Sequence, residues 1–143
     1  MTLAHDRRTE LLAECPLFSG AEPDDLTSLA RTATEVTFPR GRVIARQGEV
    51  GTGFFVVVAG RVRVVRDGET IATLGPGEFF VELSVIDRLP RLAQVVADEE
   101  TTCLALASWD FERVLLAEPR LALAILRGLA GRLRSVTGQQ HRH

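Results

Sequence analysis

From Gly75 to Ala93 the chain reads GPGEFFVELSVIDRLPRLA, and this stretch decides the fold. A turn at Gly75-Pro76-Gly77 leads into two aromatics, Phe79 and Phe80. A short run then opens on Glu82, and Pro90-Arg91 precedes a return to β-type residues. The spacing predicts a loop and a single helical turn carrying one carboxylate, followed by one arginine on a rigid arm. N–H groups in the first turn of a helix lack internal partners and attract anions. Arginine adds a planar fork that holds a phosphate through two bonds, each worth roughly 1.5–3 kcal/mol when desolvated. A carboxylate beside them repels phosphate, so Glu82 suits another task, accepting a hydrogen bond from a sugar hydroxyl. Phosphate donors beside a hydroxyl acceptor describe a sugar-phosphate ligand.

The segment resembles the phosphate-binding cassette of the cyclic nucleotide-binding domain family, whose pattern is F-G-E-L-A/S, a short spacer, then P-R-T/S/A-A. Phe80, Glu82, Leu83, Ser84, Pro90, Arg91 and Ala93 match it. Val81 stands where the family has glycine, and Leu92 where it has a small or hydroxylated residue. The resemblance covers roughly residues 15–136. It implies a ligand-binding set of Phe80, Val81, Glu82, Leu83, Ser84, Arg91, Leu92 and Ala93, with cAMP or cGMP as the ligand. Arg91 and the N–H groups of residues 82–84 and 93 would hold the cyclic phosphate, and Glu82 the ribose 2′-OH. Val81 crowds a backbone that must approach the phosphate or adopt φ > 0, at a cost of about 1–2 kcal/mol. Leu92 sets an apolar side chain near the base in place of a hydroxyl. Both departures also fit a pocket that has drifted and fills itself.

Outward from the cassette, residues 36–106 carry β grammar: short Val, Ile, Phe and Thr runs between glycine-containing turns. Arg61-Val62-Arg63-Val64 alternates, so one face is wet and the other buried. Asp67-Gly68 is the strongest turn signal and predicts a hairpin joining 61–66 to 69–74. Before this region, residues 2–14 predict a helix with Leu3, Arg7, Leu11 and Leu12 on one face. A second helix starts at Pro23-Asp24-Asp25 and runs to about Thr32. After it, Ser108 reads as an N-cap with Asp110 and Glu112 in the first turn, and Pro119 opens the last helix. Trp109 reads as a core or hinge contact. Ala122, Leu126, Leu129, Leu133 and Val136 form an a/d stripe, which serves either as a dimer seam or as a face packed on the strands.

The expected fold is mainly β with flanking α: an antiparallel β jelly roll or barrel, a double-stranded β-helix, between N-terminal helices and C-terminal lid helices. One domain spans 1–143, with helices over 1–35, the barrel over 36–107 and the cassette over 79–93 within it. C-terminal helices occupy 108–137, and 138–143 form a tail.

Composition narrows the function. A length of 143 residues, 45% of them hydrophobic, is enough for one core. A net charge of −2 gives no global attraction to nucleic acid or acidic membranes. All basic side chains besides histidine are arginine, as a GC-rich coding bias would give. Cys15 and Cys103 are far apart in sequence and read as small buried hydrophobes of a reduced, cytoplasmic protein. No histidine lies between residues 6 and 140, which excludes a β-sheet metalloenzyme; no metal or cofactor and no catalytic residues are expected, so the protein is not an enzyme. Charged residues among the first ten exclude a secretory leader, and the run Phe54–Ala59 is too short to span a membrane. A helix-turn-helix module would need more chain after the last helix, so no DNA-binding module is expected in cis. Two readings stand. One is a cyclic nucleotide-binding regulatory module acting on a separate effector protein in trans, paired as a homodimer through its C-terminal helix. The other is a degenerate module that binds no nucleotide and serves in dimerisation or docking.

Overall fold

The computed structural model describes residues 5–15, 18, 20–46, 48, 53–80 and 92–140. Two helices, α1 (His5–Glu14) and α2 (Pro23–Thr32), precede the strands. The strands are β1 (Thr34–Phe38), β2 (Val43–Ala45), β3 (Gly53–Ala59), β4 (Val62–Arg66), β5 (Glu69–Leu74), β6 (Phe79–Phe80), β7 (Gln94–Ala97) and β8 (Thr101–Ala107). Helices α3 (Ser108–Ala117) and α4 (Pro119–Gln140) follow. Among the described residues no helix is long and apolar enough to cross a membrane.

Strands pair antiparallel, as expected, but they do not close. They form two four-stranded sheets, ordered β1-β8-β3-β6 and β2-β7-β4-β5. The expected barrel is therefore corrected to two open sheets. Closure requires hydrogen bonds between edge strands, and among the described residues β1, β6, β2 and β5 each pair on one side only. Nor are the described residues mainly β, because their four helices hold more residues than their eight strands. Period-2 patterning does not distinguish a sandwich from a barrel, since both bury alternate side chains.

The first sheet is covered on both faces. Phe54, Val56, Leu104 and Leu106 point to the helices, where they meet Leu11, Leu12, Leu26, Leu29, Phe111 and Leu121. Val57, Cys103 and Phe80 point the other way, toward Val62 and Val95 of the second sheet. The molecule thus has three layers and two cores.

Sequence chemistry accounts for the turns. Asp67 and Gly68 have φ of 52° and 84°, the two left-handed residues that a type I′ hairpin needs. They join β4 to β5 with Arg66 opposite Glu69. At Gly75-Pro76-Gly77, proline followed by glycine at φ 87° matches a type II turn, and the Glu78 N–H donates to the Gly75 carbonyl at 3.1 Å. Gly60, between β3 and β4, has φ 99°, and a Cβ there would lie 2.5 Å from the Glu100 carbonyl oxygen. Beside it the buried Thr101 hydroxyl accepts from the Arg61 N–H at 3.2 Å and lies 3.1 Å from the Arg61 carbonyl. This clamp fastens the β3–β4 turn to the start of β8.

The helices follow the sequence with four corrections. Arg7 does not share the buried face of α1; Leu11 and Leu12 are buried, while Arg7 is exposed and pairs with Glu10 at 3.1 Å. Ser108 is the first residue of α3, not its cap; Ala107 occupies the cap position without a side-chain bond. Trp109 is 64% exposed and so is not a core contact. Pro119 does open α4, one residue after the non-helical Glu118. α4 packs through Leu121, Ala124 and Ile125, whereas Leu126 and Leu133 of the a/d stripe are 62% and 68% exposed. The stripe therefore divides: Leu129 packs against the helix-side core, while Leu126 and Leu133 face away from it. Residues 138–140, expected in the tail, continue α4. Leu3 and residues 141–143 lie outside the described residues.

Gly60 and Gly68 share a left-handed backbone but differ in surroundings, with nothing within 4 Å of a Cβ built on Gly68. Gly68→Ala should cost about 1 kcal/mol from backbone strain, and Gly60→Ala more than about 3 kcal/mol because strain and collision add. Urea unfolding of the two variants checks the difference.

Candidate functional site

The cassette hangs between two fixed points on different sheets. Phe80, the last residue of β6, sits on the edge of the first sheet opposite Phe55 of β3. Their rings stack 5.0 Å apart with an 11° interplanar angle. Gln94, the first residue of β7, lies inside the second sheet opposite Val65 of β4. The chain thus leaves the first sheet at Phe80 and enters the second at Gln94, and stacked sheets lie about 10 Å apart. The Gly75–Gly77 turn fixes the approach, with the Gly77 N–H donating to the Val57 carbonyl and the Val57 N–H to the Glu78 carbonyl, both at 2.8 Å. The side chain of Glu78 accepts from the Gly75 N–H at 3.2 Å and so stays with the turn.

Of the sequence-predicted set, Phe80 is 4% exposed and walls the space between the sheets. Leu92 is 65% exposed and Ala93 half-buried. Leu92 thus points to solvent rather than filling a pocket with its own side chain. Val81, Glu82, Leu83, Ser84 and Arg91 lie outside the described residues. The structure adds residues that the motif did not name. Val62, Val64 and Leu74 pack with Phe55 and Phe80 in the inter-sheet core, forming an apolar wall beside the start of the cassette. The alternation Arg61-Val62-Arg63-Val64 already assigned those valines to a dry face; what that face adjoined was not legible. Arg63 points outward and pairs with Asp98.

Two open clefts lie elsewhere. One of about 200 Å³ is bounded by Thr34, Phe55, Ala105 and Asp110 at the helix end of the first sheet. The other, of about 500 Å³, runs along the outer face of α3 past Trp109 and Leu116. Neither includes Phe80, Leu92 or Ala93. Among the described residues no three metal-ligating side chains cluster.

The family model described as Cyclic nucleotide-binding domain matches residues 35–118, from β1 to the end of α3. The chain belongs to the cyclic nucleotide-binding domain family. It is 36% identical over 124 residues to the Cyclic AMP receptor protein of Thermus thermophilus, covering 83% of this chain and 57% of the receptor. A Cyclic nucleotide-gated potassium channel of Mesorhizobium japonicum is 38% identical over 81% of this chain and 32% of its own length. Among solved structures, the N-terminal domain of a transcriptional regulator from Streptomyces coelicolor A3(2) superposes with a TM-score of 0.82 at 34% identity. That match covers 92% of this chain and 96% of that domain. The chain thus spans little more than half of the receptor and about a third of the channel.

Behind the wall, burial pushes the Cys103 thiol up to about 12 from its ordinary 9.0. An unfolded thiol loses its proton first, so stability is full below about pH 9 and falls as pH rises toward 12. Cys103→Ala should flatten that alkaline slope, read from urea midpoints between pH 8 and 11. In the folded protein Cys103 should remain unreactive to a thiol reagent at pH 8.

Proposed function

We propose that the chain is a cyclic nucleotide-binding regulatory module for cAMP or cGMP. The observation that carries the reading is the frame of the cassette. The F-x-E-L-S…P-R-L-A segment starts at a buried ring on one sheet and ends on the other, beside an apolar wall. Arg91 and the N–H groups of residues 82–84 and 93 hold the cyclic phosphate, and Glu82 accepts from the ribose 2′-OH. The wall of Val62, Val64 and Leu74 takes the less polar part of the nucleotide. The likeness to a cyclic AMP receptor supports this class of ligand. The module performs no chemical step. It acts through a difference in affinity between two arrangements of the cassette and the C-terminal helices, and a separate effector protein receives the signal.

α4 supplies a second surface. Leu126 and Leu133, one heptad apart and exposed, form a seam for a homodimer. Replacing both with Glu should convert a dimer to a monomer in light scattering while the circular dichroism of the sheets is kept. A wild-type chain already monomeric at high micromolar concentration contradicts the seam.

Calorimetry with cAMP and cGMP tests the ligand. Arg91→Ala should remove most of the affinity, and Arg91→Lys should restore only part, since a point charge does not replace the fork. Val81→Gly should tighten binding by about 1–2 kcal/mol through relief of crowding at the phosphate. Absence of heat with both nucleotides, in wild type and Val81→Gly alike, overturns the ligand reading and leaves a dimerisation or docking module, which the exposed α4 seam would serve unaided.

A further inference from the structure

The outer face of α3 carries a stripe that the protein's own core does not use. Phe111 and Val114 are buried on the other side of the helix. Trp109, Glu112, Arg113 and Leu116 fall at helical spacing along one side, and all four are exposed. Trp109 is 64% exposed and Leu116 78%, and both line the open cleft of about 500 Å³ along this face. A single exposed leucine is ordinary on a protein surface. The chain's one tryptophan, with an arginine and a leucine on the same stripe, has the composition of an association surface.

The order of the four residues names the partner. Two α3 helices laid antiparallel, with a two-fold axis between Glu112 and Arg113, set Trp109 of each copy against the partner's Leu116. The same axis sets Glu112 of each copy against the partner's Arg113. Every position then meets its complement, ring on aliphatic chain and carboxylate on guanidinium. A parallel pair would put glutamate on glutamate and arginine on arginine, so the charges select the antiparallel sense. Arg113 Nη2 lies 2.9 Å from Asp110 Oδ1 of its own helix. A guanidinium has five N–H donors, so that bond leaves others for a second carboxylate. Surface ion pairs contribute little by themselves. The attraction comes from taking two Trp–Leu contacts out of water, and the charges fix their register.

We infer that the outer face of α3 is a two-fold self-docking surface, occupied by α3 of a second copy. Ten residues of helix are about 15 Å long, and such a contact falls below the roughly 1,200 Å² of a standard interface. The pairing is therefore weak and depends on concentration. It uses neither the cassette nor the α4 seam, so it stands apart from the nucleotide reading and from the dimer proposed above. Where both surfaces pair, two different two-fold contacts on one chain link dimers into larger assemblies.

Trp109 is the only tryptophan, so its fluorescence reports this face alone. As wild type is concentrated from about 1 μM to about 1 mM, its emission should move to shorter wavelength as the ring leaves water. The same shift should appear in a chain carrying Leu126→Glu and Leu133→Glu, where sedimentation should show a dimer formed without the α4 seam. Glu112→Arg and Arg113→Glu should each weaken the association about tenfold or more, because like charges then face each other at both contacts. An equimolar mixture of these two variants should recover it, since opposite charges meet again. Emission that does not change with concentration overturns the inference and leaves the face to a partner of different sequence. A shift that both charge variants leave intact, or that folded variants fail to recover on mixing, overturns the antiparallel pairing. Circular dichroism checks the fold of each variant, and the wild-type emission decides the matter where a variant does not fold.

Discussion

Alternation along the first sheet is the constraint on which everything else depends. Successive side chains of a strand point to opposite faces, and here both faces are buried. Phe54 and Phe79 go to the helices, where Phe54 meets Phe18 at 5.9 Å and Phe111 at 6.2 Å. Their neighbours Phe55 and Phe80 go to the gap between the sheets, stacked on one another, with Phe38 at 6.1 Å from Phe55. A one-residue slip of β3 against β6 would exchange the two sets and unmake both cores. The register Phe55–Phe80 and Val56–Phe79 therefore fixes the helical layer and the starting point of the cassette together.

That register also sets where the cassette begins. β6 is the edge of the first sheet and β7 lies inside the second, so the two ends of the motif, Phe80 and Ala93, adjoin different sheets beside the apolar side chains of the inter-sheet core. The Gly60–Thr101 clamp and the two glycine-dependent turns hold the strand ends that define this gap. The helices form a separate layer, and Leu121 and Ile125 of α4 share one core with Phe54, Val56, Leu104 and Leu106 of the first sheet.

Local chemistry was legible in the sequence wherever one residue type was required. Asp67-Gly68, Gly75-Pro76-Gly77 and Pro119 each named their own turn or helix start, and the structure has them there. Ser108 and Trp109 were misread, because a favourable cap residue or a large ring states a preference that tertiary packing overrides. The closed barrel failed for a different reason. Alternating Val and Arg records which side of a strand is dry, and says nothing of which strands meet at the edges. The α4 stripe was ambiguous in sequence, since apolar spacing of three and four fits a core face and a seam equally. Only the burial of Leu121, Ala124 and Ile125 separates them. The cassette itself was legible as a motif because Phe80, Glu82, Leu83, Ser84, Pro90, Arg91 and Ala93 fall at the spacing the family uses. Its apolar wall was not, since Val62, Val64 and Leu74 are ordinary strand residues until the fold brings them beside Phe80.

The central claim is that a cyclic nucleotide occupies the gap bridged by the cassette. Backbone amide spectra recorded during a titration with cAMP test it most directly. The account predicts saturable shifts concentrated at Phe80, at Leu92 through Val96, and at Val62, Val64 and Leu74. Saturable shifts confined to the cleft near Thr34 and Asp110 or to the outer face of α3, with Phe80 and Ala93 unmoved, would contradict it.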